Sequence, residues 1–104
     1  MAETGLKGKD RLTKLSLEGN NIGSAGLIAI SVALTGNNEL QELFLYNNNI
    51  DDSAMENFSK FLKNKINLHT LGLEFNKIGG QGASFIFMSF KDLPLLEKLY
   101  LSSN

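Results

Sequence analysis

His69 is the only histidine in the chain, with Glu97 as its possible carboxylate partner, and Glu42 and Glu74 are a second candidate pair for proton transfer. A His–carboxylate pair does chemistry when it also has a nucleophile and a pocket that holds the substrate. Nothing near His69 in the sequence supplies either, and the reading is a solvated histidine close to Glu97. Glu42 and Glu74 are one repeat apart but two positions out of register. On an open surface they gain little of the desolvation that tunes an acid–base pair. The segment KIGGQGASF, residues 77–85, is rich in glycine. It lacks the GK[ST] ending of a phosphate loop and does not match GxGxxG. There is no cysteine, so thiolate chemistry, thiolate metal sites and disulfide staples are excluded. These observations predict no catalytic residue, no cofactor and no metal.

Charge narrows the partners. Ten basic and eleven acidic residues leave a formal charge of -1 over 104 residues. Nucleic-acid binding needs a basic excess gathered on one face, and the densest basic group is only Lys60, Lys63 and Lys65. These read as the wet side of a helix end. No apolar run approaches the ~18 residues of a membrane span, and MAETGLKGKDR has no hydrophobic core of a secretory leader. The expectation is no nucleic acid, no membrane and an intracellular, cytoplasmic location.

What the sequence does contain is a repeat. Leu12, Leu40, Leu68 and Leu96 are 28 residues apart. The same step links Leu15, Leu43, Leu71 and Leu99, then Leu17, Leu45, Leu73 and Leu101. It also links Asn20, Asn48, Asn76 and Asn104, and Ile22, Ile50 and Ile78. Each copy reads LxxLxLxxNxI: LTKLSLEGNNI, LQELFLYNNNI, LHTLGLEFNKI and the shorter LEKLYLSSN. Alternation in LxL is the period of a strand with one buried face. Beyond each Asn the apolar spacing becomes three and four, as in Ile50, Ala54, Phe58 and Leu62, or Ile78, Gly82, Ile86 and Phe90. That spacing belongs to an amphipathic helix. Ser24, Asp52 and Gly80 share a column suited to helix N-caps. Gly36, Asn64 and Asp92 share one suited to a left-handed helix end. Gly82 shares the column of Gly26 and Ala54, where helix and sheet are expected to approach closely and want a small residue.

This pattern resembles the leucine-rich repeat over residues 12–104. The 28-residue period resembles the ribonuclease-inhibitor-like class, which includes the repeat regions of Ran GTPase-activating proteins and NOD-like receptors. The resemblance implies an α/β solenoid, a short curved horseshoe with parallel strands on the concave face and helices on the convex face. The copies would be 12–39, 40–67, 68–95 and a partial 96–104, with residues 1–11 as an N-terminal flank, disordered or a partial cap. It further implies that Asn20, Asn48, Asn76 and Asn104 form a structural ladder. An Asn amide both donates and accepts, which suits a sharp inward turn full of unpaired backbone groups. Asn47 and Asn49 fall outside that column and are expected to face solvent.

The helices cover one face of such a sheet, and the other is left for binding. Its columns are Lys14, Glu42, Thr70 and Lys98; then Ser16, Phe44, Gly72 and Tyr100; then Glu18, Tyr46, Glu74 and Ser102. Phe75 is at the rim. Phe44, Tyr46, Phe75 and Tyr100 are predicted to be exposed anchors, with Lys14, Glu18, Glu42, Glu74 and Lys98 selecting by charge. Gly72 between Phe44 and Tyr100 predicts a gap of ~10 Å between the two rings. The functional expectation is a non-enzymatic module that binds a partner protein on this face. The alternatives are a regulator of an enzyme such as a small GTPase, which the resemblance alone raises, and a structural or self-assembling segment. Neither end of the solenoid has an obvious polar cap. The expectation is therefore a fragment of a longer repeat protein, or a homo-oligomer joined through its open ends.

Overall fold

Parallel strands held at one repeat per step must pair residue i with residue i+28, and they do. The computed structural model describes residues 11–104. Within them the elements run β1 (Lys14–Ser16), α1 (Gly23–Ala33), β2 (Glu42–Phe44), α2 (Met55–Leu62), β3 (Thr70–Gly72), α3 (Gly80–Met88) and β4 (Lys98–Tyr100). A 3-10 turn, Asp52–Ala54, leads into α2, and another, Ser89–Asp92, follows α3. The sheet order is β1-β2-β3-β4 with every pairing parallel. Leu15 pairs with Leu43, Leu43 with Leu71 and Leu71 with Leu99. The flank expected over residues 1–11 lies, but for Arg11, outside the described residues.

The core lies between sheet and helices. The three Leu columns and the Ile column point inward, and Leu40, Leu43, Leu45, Ile50, Leu68, Leu71 and Leu73 are essentially inaccessible to solvent. Leu27, Met55, Phe58, Leu62 and Ile86 meet them from the helices. Burial of each such side chain contributes about 1.5–3 kcal/mol. In the outer strands Leu15, Leu17, Leu99 and Leu101 pack on the same core but are only partly covered.

The turn from sheet to helix is held by the expected asparagines. Asn48 Nδ2 donates to Leu17 O and Leu45 O at 2.8 and 3.0 Å. Its Oδ1 accepts from the amides of Asn20 and Ile22 at 2.9 and 3.2 Å. Asn76 repeats the pattern one coil later, with the amides of Asn48 and Ile50 and the carbonyls of Leu45 and Leu73. Asn104 takes the Ile78 amide and the carbonyls of Leu73 and Leu101. Each side chain therefore reaches back to the preceding coil. Among the described residues, the Asn20 side chain bonds only to carbonyls of its own turn, Leu17 and Glu18. Asn47 and Asn49 are exposed, both at φ 60°, so they support the turn through their tolerance of left-handed backbone.

Three expectations at the helix ends need correction. No residue of the Gly36, Asn64 and Asp92 column has a positive φ. The helices instead tighten into i→i−3 bonds, from the amides of Asn37, Lys65 and Leu93 to Leu34 O, Leu62 O and Phe90 O. Ser24 and Asp52 do not cap their own helices. Ser24 Oγ donates to Asp51 Oδ1 at 2.7 Å, and Asp52 Oδ1 accepts from the Gly79 amide at 2.7 Å, so both tie one coil to the next. The side-chain cap of the second coil is Asp51, which accepts from the Ser53 amide. Phe90 is 41% exposed rather than in the core. The 3-10 turn after Met88 has three residues per turn, which rotates Ser89 inward and leaves Phe90 edge-on to Phe87 at 5.5 Å.

Lys65 is the largest departure. It is 1% exposed, not on the wet side of α2. Its ammonium donates to Asn37 O at 2.7 Å and Leu34 O at 3.0 Å, with Asn64 Oδ1 also at 3.0 Å. It lies 4.5 Å from the Phe61 ring centroid. One lysine thus closes the carbonyl end of the preceding helix, α1, where the negative end of the helix dipole favours a cation. Burial lowers its pKa from the ordinary lysine value.

Two stability measurements check this account. Asn48→Ala strips partners from one buried and three part-buried backbone groups and should cost about 3 kcal/mol, whereas Asn20→Ala should cost less than half as much; urea denaturation reads both. Lys65→Met should lose about 2 kcal/mol by removing the ammonium that Leu34 O, Asn37 O and Asn64 Oδ1 share. Lys60→Met removes only an exposed contact with Glu56 at 3.9 Å and should stay within about 0.5 kcal/mol.

Candidate protein-binding face

Side chains alternate across a strand, so the residues flanking each central leucine of β1 to β4 project away from the helices. This places Lys14, Ser16, Glu42, Phe44, Thr70, Gly72, Lys98 and Tyr100 on one open sheet face. Glu18, Tyr46, Glu74 and Ser102 continue it at the strand ends, where Leu17, Leu45 and Leu73 extend the parallel pairing through their amides.

The aromatics divide into two pairs. Phe75 and Tyr100 are 59% and 43% exposed. Phe44 and Tyr46 are half-buried, not freely exposed as the pattern predicts. The reason is Gly72. A Cβ built there would stand 3.0 Å from Phe44 Cδ1 and 3.7 Å from Tyr46 Cδ1. Phe44 and Tyr46 meet edge to face at 6.4 Å and lean over this glycine. The expected gap over Gly72 is therefore occupied by Phe44 rather than open. Lys14 Nζ lies 5.6 Å from the Phe44 centroid on the far side, a cation–π contact.

Phe75 has a second peculiarity. It shares a column with Gly19, Asn47 and Ser103, and all four have φ between 60° and 69°. The left-handed region is comfortable for Gly and Asn but costs a bulky residue roughly 1–2 kcal/mol. A large apolar ring is thus held on the rim, in water, on backbone that disfavours it. Such outliers point toward function.

The charged residues are unevenly supported. Ser16 Oγ donates to Glu18 Oε1 in a short hydrogen bond. That bond, aided by a backbone amide and by Tyr46 and Lys14, lowers the Glu18 pKa from the ordinary carboxylate value. Desolvation raises the Tyr46 pKa, followed by the charge of Glu18, the hydrogen bond to it and the charge of Glu74. Glu74 Oε1 is buried and has no hydrogen-bond partner among the described residues. His69 Nδ1 lies 2.8 Å from Thr70 Oγ1. Among the described residues no group of three His, Asp or Glu side chains converges on a metal-sized site.

Gly82 is a small residue at a close approach, but to the neighbouring coil rather than, as expected, to the sheet. A Cβ there would meet Asp52 Oδ1 at 2.3 Å and Met55 Cγ at 2.8 Å, so α3 approaches the second coil too closely for any side chain. The sequence reasoning did not anticipate a shallow groove on the helix side, lined by Ile28, Val32, Phe61 and Asn64. The signal was the run of apolar residues around α1, which exceeds one helical stripe.

Strain at Phe75 has a direct test. Phe75→Asn should raise stability by about 1 kcal/mol, because Asn accepts left-handed backbone. A fall in the urea midpoint would show that the ring is stabilising its own sheet.

Comparison with known proteins agrees with this geometry. Matches to the family described as Leucine Rich repeat cover residues 12–31, 64–87 and, in a second form, 39–61. No curated protein sequence matches. Among solved structures, "Leiomodin-1 Actin-Binding Site 2" superposes with a TM-score of 0.82 at 24% identity, over 94% of this chain and 58% of that one. The tropomodulin C-terminal domain of Caenorhabditis elegans superposes at 0.68 and 13% identity, over 97% and 80%. This chain thus spans a little over half of the leiomodin chain. At these identities the likeness shows the fold. Repeat spacing, sheet register and family matches together make this chain a member of the leucine-rich-repeat family.

Proposed function

We propose that the chain is a protein-binding module that uses its open sheet face and performs no chemistry of its own. The observation that carries this reading is Phe75, an exposed aromatic on left-handed backbone at the rim just past β3, together with the exposed Tyr100 on the neighbouring strand β4. Exposed aromatics on a preorganised platform are frequent anchors of protein interfaces. Lys14, Glu18, Glu42, Glu74 and Lys98 are spread along the same face from β1 to β4 and would discriminate among partners by charge.

Actin is the first partner to assay, because the leiomodin segment of similar fold is described as an actin-binding site. Binding to actin, or to a partner recovered by cross-linking, should weaken about tenfold or more on Tyr100→Ala, with the denaturation midpoint unchanged. Val32→Ser, on the exposed helix side, should leave affinity intact. No loss from Tyr100→Ala, or equal loss from Val32→Ser, would place the contact elsewhere.

A further inference from the structure

The helix faces at the two ends of the stack are apolar where the faces inside it are polar. In the groove between the first two helices, Asn57, Lys60 and Phe61 of α2 face back toward α1. One repeat earlier, the same columns of α1 hold Ala29, Val32 and Ala33. These turn away from the stack at its front end, and Val32 is 70% exposed. Ser59 and Lys60 of α2 line the next groove, toward α3. One repeat later, those columns hold Phe87 and Met88, which are 54% and 65% exposed at the back end. A stack that ends in water wants polar outer faces. This one shows small apolar residues in front and large ones behind.

The sheet is complementary in the same way. The amides of Leu17, Leu45 and Leu73 each donate to a carbonyl of the following coil, those of Phe44, Gly72 and Tyr100. The amides of Gly19, Asn47 and Phe75 do the same to Tyr46, Glu74 and Ser102. Leu101 and Ser103 are next in these columns, and among the described residues their amides have no acceptor. Such an edge is a template for another strand. In the first coil the accepting columns begin with Ser16 O and Glu18 O. Asn48 Oδ1 and Asn76 Oδ1 each accept the Asn amide of the coil before; Asn20 Oδ1, among the described residues, accepts none.

We infer that the chain joins head to tail with a second copy of itself, β4 of one pairing in parallel with β1 of the next. One more step of the repeat sets Leu99 opposite Leu15. The Leu101 and Ser103 amides then donate to Ser16 O and Glu18 O of the next copy, and the Asn104 amide to its Asn20 Oδ1. The helices fit the same junction. No helix follows β4 among the described residues, so α3 and the next α1 are two strand steps apart, roughly 10 Å. Helices pack at an interaxial distance of about 8–10 Å. Phe87 and Met88 therefore meet the shallow face of Ala29, Val32 and Ala33. The contact is heterologous and leaves a free end on each side, so it builds open chains. It lengthens the open sheet face without covering it, and so stands apart from the partner-binding reading above. The register also sets Lys98 opposite Lys14 of the next copy, a repulsion that salt screens.

Sedimentation velocity of the intact chain at high salt tests this. The weight-average mass should rise with concentration past that of two chains. Ala29→Lys blocks the front face and Phe87→Lys the back face; each alone should associate about tenfold or more weakly. Each variant keeps one unaltered end, so an equimolar mixture of the two should form one-to-one dimers and nothing larger. Phe75→Ala, on the rim of the open face, should assemble as the parent chain does. Circular dichroism checks that each variant is folded, and Val32→Lys with Met88→Lys replaces the first pair if either is not. A monomer at every soluble concentration, undiminished association in either lysine variant, a mixture that stays monomeric, or equal loss from Phe75→Ala would each overturn the inference.

Discussion

Every coil must leave the sheet, cross the interior and start a helix, and the crossing backbone belongs to neither ladder nor helix. An unmet amide or carbonyl there would cost about 1–3 kcal/mol, and there are several per coil. One asparagine side chain answers most of them, because it donates twice and accepts twice in a compact plane. Asn48 does this between the first and second coils and Asn76 between the second and third. The bonds run backward across the stack, so each coil is completed by its successor. That dependence couples the turn geometry to the strand register, and the register in turn fixes which side chains line the open face.

The same division of labour explains why that face can carry unfavourable features. The leucine columns and the asparagine ladder determine the fold without help from the flanking positions. Those positions are free to hold an aromatic on left-handed backbone at Phe75 and an unsatisfied carboxylate oxygen at Glu74. Gly72 contributes by absence: with no side chain, it lets Phe44 and Tyr46 settle into a partly buried wall.

The repeat made the architecture readable before any coordinates. Strand positions, parallel register, the asparagine ladder and the close approach at Gly82 all follow from comparing columns 28 residues apart. Lys65 was not readable that way. Its column holds Asn37, Lys65 and Leu93, three buried residues of unlike chemistry, so residue type gave no hint of burial. What decides its place is the ring of carbonyls at the end of α1, which a lysine can reach and a pattern cannot show. The helix ends eluded the sequence for a related reason. A 3-10 turn needs no special residue, and it shifts the phase of everything after it, which moves Phe90 out and Ser89 in. On the open face the columns were correct, and so was the exposure of Phe75 and Tyr100, but Phe44 and Tyr46 are half-buried because they fill the space that Gly72 leaves.

If the asparagine ladder ties the coils together, the turns should be as hard to open as the sheet. Native-state hydrogen exchange reads this directly. The amides of Asn48 and Ile50, both bonded to Asn76 Oδ1, should exchange only through global unfolding, with the same free energy as the buried strand amides of Leu43 and Leu71. Exchange of those two amides through a local opening, at a free energy well below that of the strands, would contradict the claim that this side chain holds the stack in register.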